Sequence, residues 1–255
     1  MKYLTAEELK KSYSQETHEI LRDHVGKNIQ GMFALDLFRR SAERTFGSRK
    51  DIKILDLGPA GGAFGKQLTQ TGYQNVYGAD LDNYLSTDNK PSFKELKTAD
   101  LSIERLPWAD GYFDAITAWC VFPHLENPFH CFREVRRILS EDGLFIFSAP
   151  NLESKASINY FIKHRDLGSY QASNNHLAIF TRGIIEKAVF KYFDLVDIKY
   201  HVRDKVFNRG FKGRIRKIIY TAVSRFSKQW QTGLEKRWAY NTIYVLRPKR
   251  QGPNS

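Results

Sequence analysis

The chain is short of cysteine, of long apolar runs and, in its last fifth, of acidic residues. Only Cys120 and Cys131 occur in 255 residues. Neither has a nearby partner at metal-ligand spacing, so a disulfide framework and a zinc site are excluded and no metal is expected. No apolar run approaches the ~18 residues that argue for a spanning helix. The opening residues, Met1 to Lys10, lack the apolar region of a signal peptide. Together these absences lead to the expectation of a cytoplasmic protein. Internal repeats and low-complexity tracts are also missing. What is present is 42% apolar residues, enough for a substantial core. The length suits one large α/β domain or two small ones.

The shortage of acid is local. Residues 1–200 hold 26 Lys and Arg against 26 Asp and Glu, whereas residues 201–255 hold 14 against Asp204 and Glu235 alone. The whole net charge of +12 therefore sits in the last fifth. There, Phe211, Ile215, Ile218, Ile219, Ala222, Val223, Phe226 and Trp230 fall on one face of a helical pattern. Arg214, Lys217, Arg225 and Lys228 fall on the other. Such a helix can dock on the sheet edge with its basic face in solvent. It can also lie on an anionic membrane through residues 211–230, peripherally at the inner membrane surface, or contact the phosphates of RNA or DNA.

One stretch organises the rest, Lys53-Ile-Leu-Asp-Leu-Gly-Pro-Ala-Gly-Gly-Ala-Phe-Gly65. Ile52, Ile54, Leu55 and Leu57 carry a first strand, Asp56 sits at its carboxyl end, and Gly58, Gly61, Gly62 and Gly65 follow before a helical pattern. Glycine admits close approach of backbone to a ligand, and a helix start adds free N–H groups. No Lys-Ser/Thr follows Gly65 to hold a triphosphate. A second strand, Asn75-Val-Tyr-Gly-Ala-Asp80, also ends in a carboxylate, 18 residues after Gly62. A carboxylate there can accept from both hydroxyls of a ribose.

Elements then alternate. Strands are expected near 93–99, 113–120 and 144–148, a helix over 128–139, and a turn at Asp142-Gly143. Residues 151–180 read as a loop or short-helix region. A helix over 181–192, capped by Thr181, and strands over 195–202 and 241–246 complete the pattern. This predicts an α/β, Rossmann-like fold with a seven-stranded, mostly parallel sheet and helices on both faces. Residues 1–48 read as N-terminal helices, Thr5 and Glu8 forming a capping box, that lid or cover the sheet. Residues 49–250 form the main domain, 208–238 a basic helical insertion, and 251–255 a disordered tail.

These motifs resemble the class I S-adenosylmethionine (SAM)-dependent methyltransferases. Asp56-Leu-Gly-Pro-Ala-Gly-Gly62 is similar to their first motif and Gly78-Ala-Asp80 to their second-strand acidic motif. Ala99-Asp100-Leu101 and Leu106-Pro-Trp-Ala-Asp-Gly-Tyr-Phe-Asp114 are similar to the stretch that wraps adenine. Val121 to Pro128, Glu134 to Leu139, Asp142 to Leu144 and Ser148 to Asn151 continue the likeness, loosely as far as residue 200. The resemblance implies SAM as cofactor. Gly58, Ala60 and Gly62 would then line its methionine part, Asp80 would hold the ribose, and Asp100 with Leu101 would flank the adenine. Asp56, Leu81 and Trp119 complete the expected cofactor set. Two departures stand out: Ala60 replaces the middle glycine, its methyl being accommodated if φ is negative with Gly61 supplying freedom, and Pro123 replaces an acidic residue before His124.

The implied activity is that of an EC 2.1.1-class methyltransferase. Its expected target is an oxygen of a small or lipid-linked acceptor, such as a sugar, a glycan precursor or a related metabolite. A hydroxyl acceptor benefits from a general base, and His124 and His176 are the candidates. Trp119 and Tyr170 fit either an acceptor pocket or core packing, and Cys120 reads as a buried strand cysteine. The alternatives are an RNA methyltransferase using the basic region and a catalytically silent SAM-fold binding partner. Against nucleic acid, no Asn/Asp-Pro-Pro-aromatic signature follows the fourth strand. A nicotinamide reductase is disfavoured because Ala60 breaks Gly-x-Gly-x-x-Gly and no Tyr-x-x-x-Lys pair follows.

Overall fold

A computed structural model describes residues 31–250 except 204 and 209. The helix expected from Thr5 and the expected tail at 251–255 lie outside the described residues. Strands β1 (Lys53–Leu57), β2 (Asn75–Asp80), β3 (Glu95–Thr98), β4 (Phe113–Ala118), β5 (Leu139–Pro150), β6 (Phe193–His201) and β7 (Asn241–Pro248) form one sheet. Their order is β3-β2-β1-β4-β5-β7-β6. The first five are parallel, and β7 runs antiparallel between β5 and β6. The chain reverses direction across the sheet at β1, so the carboxyl ends of β1 and β4 frame a crevice.

The sheet is buried on both faces. Helices α1 (Gly31–Phe46) and α2 (Ala63–Gln70) cover one face, where Phe38, Phe64 and Leu68 pack on Ile54, Ala115 and Ile146. On the other face lie α3 (Pro128–Ile138) and α5 (Arg182–Ala188), with Phe132, Val135 and Ile185 against Phe113, Phe145 and Phe147. Phe122 and Phe132 stack at 4.0 Å. Local chemistry sets the helix starts. The Asn127 side chain accepts from His130 N, with Pro128 in the first turn, and the Thr181 side chain accepts from Ile184 N, as expected.

Within the expected loop or short-helix region, 151–180, lies the helix α4 (Lys155–His164), capped by Ser154. Three expectations change. The turn at Asp142-Gly143 is absorbed into β5, whose register against β4 slips between Phe113 and Ala115. A Cβ on Gly143 would lie 2.6 Å from Leu139 Cδ1, so only glycine lets the strand fold past itself there. The fourth strand stops at Ala118, which leaves Cys120 outside it. Finally, the single helix over 211–230 is interrupted. After the short α6 (Lys205–Asn208), α7 (Gly210–Phe226) ends where Ser227 turns extended and caps α8 (Lys228–Trp238). Trp230 therefore belongs to the second helix. As expected, the whole segment lies between β6 and β7.

Arg137 ties the loop before β4 to α3. Its guanidinium donates to Leu106 O at 2.8 Å, Trp108 O at 2.7 Å, Asp110 at 2.9 Å and Glu134 at 2.6 Å. Arg137→Lys keeps the charge but loses the fork. We expect it to cost about 1–3 kcal/mol, seen as a lower urea midpoint. An unchanged midpoint would show that the loop is held without it.

Candidate active site

The turn after β1 is drawn tight by backbone bonds. Gly58 N donates to Ala79 O at 2.8 Å and Gly62 N to Pro59 O at 2.8 Å. Gly58 has φ 61°, and a Cβ on it would lie 2.6 Å from Val121 Cγ2. Gly62 has φ 81°, and its Cβ would meet Leu85 Cδ2 at 2.7 Å. The chain's own side chains therefore demand glycine at both positions. The condition of negative φ at Ala60 is not met, because the residue sits at +47°. The left-handed conformation costs an alanine about 1–2 kcal/mol. What it gains is direction: Ala60 N points at Asp80 and donates to Oδ2 at 3.1 Å.

Asp80 is clasped from both sides, since Leu81 N donates to Oδ1 at 2.8 Å. Burial nevertheless pushes its carboxyl up to about 6, against the pull of these two amides. Asp56 lies beneath the turn, 2% exposed. Its Oδ1 accepts from Thr117 Oγ1 at 2.8 Å, and burial, with the nearby charge of Asp80, raises it to about 7. Among the described residues no ion pair reaches either carboxyl. Two neighbouring acids without a cation make a site suited to a positively charged ligand with hydroxyls to donate.

The loop after β2 folds over the turn. Gly61 O accepts from Asn89 Nδ2 at 2.6 Å and from Ser86 Oγ at 3.3 Å. Sequence reasoning missed both residues, whose only signal is a polar cluster beyond the second strand. Asp100 and Leu101 are buried at the end of β3, where Asp100 Oδ1 accepts from Ser102 N at 2.8 Å. Ala99 N donates to Asp80 O at 2.9 Å, which brings this pair beside the β2 carboxylate.

At the end of β4 the structure joins several candidates. Trp119 is buried with its ring 5.3 Å from Phe64, and its Nε1 has no hydrogen-bond partner. His124 and His176 come from segments fifty residues apart, yet their ring centroids are 4.5 Å apart. Tyr170 joins them at 5.4 Å from His176. His124 Nδ1 lies 3.3 Å from Asn175 O and His176 Nδ1 lies 2.5 Å from Ser169 O. With Nδ1 as donor in each ring, Nε2 is the unprotonated nitrogen. Burial, then the neighbouring imidazole, lowers His124 to about 4, and burial lowers His176. Both are neutral at physiological pH.

Cys120 also departs from expectation. It is half-buried in a bend with φ 57°. Its N–H donates to Ser148 Oγ at 2.9 Å, and Asn241 Nδ2 donates to its sulfur at 3.2 Å. Buried Ser148 and Asn241 thus complete a polar corner between β4, β5 and β7. Sequence reasoning could not find it, because its members are far apart in the chain.

Comparison with known proteins places this geometry in context. The profile of a methyltransferase domain family matches residues 55–147. A malonyl-[acyl-carrier protein] O-methyltransferase of Geobacter sulfurreducens is 28% identical over 176 residues. That match covers 63% of this chain and 64% of the relative, so the chain spans a little under two thirds of the relative's length. Among solved structures, the [4+2]-cyclase SpnF superposes with a TM-score of 0.63 at 14% identity, covering 99% of both chains. A Haemonchus contortus phosphoethanolamine N-methyltransferase 2, in complex with phosphomonomethylethanolamine and S-adenosylhomocysteine, gives 0.56 at 14% identity. It covers 98% of this chain and 61% of that one.

The turn makes a stability prediction of its own. Ala60→Gly relieves the left-handed strain and should leave stability within about 1 kcal/mol of the parent. Ala60→Val places a β-branched residue at positive φ and should cost about 2 kcal/mol or more. Chemical denaturation of both variants checks this, and equal midpoints would contradict the observed backbone.

Proposed function

We propose that the chain, whose residues 55–147 match a methyltransferase domain family, acts as a class I SAM-dependent methyltransferase and methylates an oxygen of a small or lipid-linked acceptor. The observation that carries the reading is the pair of acids, buried Asp56 and half-buried Asp80, the latter clasped to a left-handed turn, with no cation paired to either among the described residues. That donor set fits SAM, which is cationic and carries a ribose diol. Asp80 would accept from the ribose hydroxyls with lone pairs that Ala60 N and Leu81 N leave over. Gly58, Ala60 and Gly62 would pass beneath the methionine part, above Asp56. Asp100 and Leu101 would flank the adenine, and Trp119 would close the methyl end. When bound, SAM supplies an electrophilic methyl group on its sulfonium.

The chain's part is then to hold, orient and dry the acceptor. His124 and His176 stand at the mouth, neutral and paired. His124 is a poor proton acceptor at about 4, so we assign the base role for a hydroxyl acceptor to His176 and a positioning role to His124. Oxygen as acceptor atom is supported by the Geobacter relative, an O-methyltransferase by name. A sugar or glycan precursor suits the chain as well as a carboxylic acid does. Because a cyclase shares the fold, transfer itself is the point to test. Labelled methyl from SAM should appear in a low-molecular-weight or lipid fraction of a cell extract. Label in RNA alone would overturn the small-acceptor reading.

The site also predicts a pH dependence. Ribose hydroxyls donate to the ionised carboxylate, so binding selects the anion of Asp80. Its folded value is about 6, so protonation competes below that pH and the competition vanishes above it. Affinity for S-adenosylhomocysteine should therefore rise about tenfold between about pH 5 and pH 7.5 and then level off. A flat profile across that window would remove Asp80 from the site.

A further inference from the structure

We propose that the basic hairpin of α7 and α8 is a docking surface for an anionic lipid bilayer. The hairpin is held to the body from one side only. Gly213 is buried against Phe207 O, with space for no Cβ. Tyr220 OH donates to Glu235 Oε1 at 2.6 Å, linking α7 to α8. Asn151 Nδ2 donates to Lys236 O at 2.7 Å and anchors α8 to the end of β5. The first two contacts set which face of α7 turns toward α6 and α8, and the third fixes α8 to the body.

The outward face is the apolar one. Phe211, Ile215, Ile218, Ala222 and Phe226 follow at three- and four-residue steps. Phe211 is 77% exposed, Ile218 69% and Phe226 88%, and Trp230 across the tip is 72% exposed. A helix docked with its basic face in water would show the reverse. Exposed large apolar side chains gathered on one helix face mark an interaction surface.

Charge identifies the partner. Lys212, Arg214, Lys217, Arg225 and Lys228 are exposed around the stripe. The 201–255 region has 14 basic residues against two acidic ones. An apolar stripe with a basic rim matches the interface of a bilayer with anionic head groups, which attract each Lys or Arg near the surface. A nucleic acid would meet hydrophobic side chains instead of a continuous basic face. No helix among the described residues is long and apolar enough to cross a membrane.

Vesicle co-sedimentation of the full chain, without SAM or acceptor, tests this separately from the methyltransferase reading. Vesicles of phosphatidylcholine alone are compared with an equimolar mixture of phosphatidylcholine and phosphatidylglycerol. The protein should bind the anionic vesicles about tenfold or more tightly, less so as salt is raised. The double variant Phe226→Ser, Trp230→Ser alters only exposed side chains. It should lose vesicle binding with unchanged circular dichroism and melting. Lys217→Glu with Arg225→Glu should lose the anionic preference. Equal binding to both vesicles, or none, would overturn the proposal. So would a lipid-free dimer, seen by light scattering, that the serine variant dissociates, since a second copy would then cover the stripe.

Discussion

The clasp on Asp80 is the constraint on which the site depends. Two amides, from Ala60 and Leu81, grip one carboxylate at the end of β2. To deliver the first of them, residue 60 must be left-handed, and Gly58 and Gly62 must bend the chain on either side of it. To deliver the second, the chain must turn sharply as it leaves β2. The loop through Ser86 and Asn89 then closes on Gly61 O, so the turn is braced from above as well. A half-buried carboxylate with two donors and no cation is costly to keep ionised, and its raised value records that cost. A ligand that brings hydroxyls and positive charge would lower it.

The sheet explains why the acids meet. Asp56 pairs in register with Gly78 on one side and Thr117 on the other. Thr117 donates the side-chain hydrogen bond that the Asp56 carboxyl receives among the described residues. The crevice between β1 and β4 therefore carries its charge on rigid strands, while His124 ends a short helical turn after β4 and His176 comes from the segment before α5. That division suits a catalyst that grips its cofactor firmly and admits an acceptor from the more open side.

Much of this was legible in the sequence, for a physical reason in each case. Glycine spacing and a strand-end carboxylate are local signals, so Gly58, Gly62 and Asp80 could be placed from residues 53–80 alone. Alternating strands and helices gave the sheet. The sign of φ at Ala60 is not a local signal. Alanine ordinarily avoids that region, and the compensating bond comes from a strand twenty residues away. The Cys120, Ser148 and Asn241 corner is assembled by packing of the bend after β4 against β5 and β7, far apart in the chain. The amphipathic pattern at 211–226 showed two faces but could not say which one the body would take. Tyr220 and Gly213, which decide it, read as ordinary helix residues.

The central claim is that the β1 turn and Asp80 form a SAM site. Calorimetric titration of the parent chain and of Asp80→Asn with S-adenosylhomocysteine, near neutral pH, tests it most directly. The account predicts saturable binding at one site in the parent. Affinity should fall about tenfold or more in the variant, as expected for lost hydrogen bonds to a charged acceptor. Binding of NADH with no heat from S-adenosylhomocysteine, or equal affinity in the two chains, would contradict it.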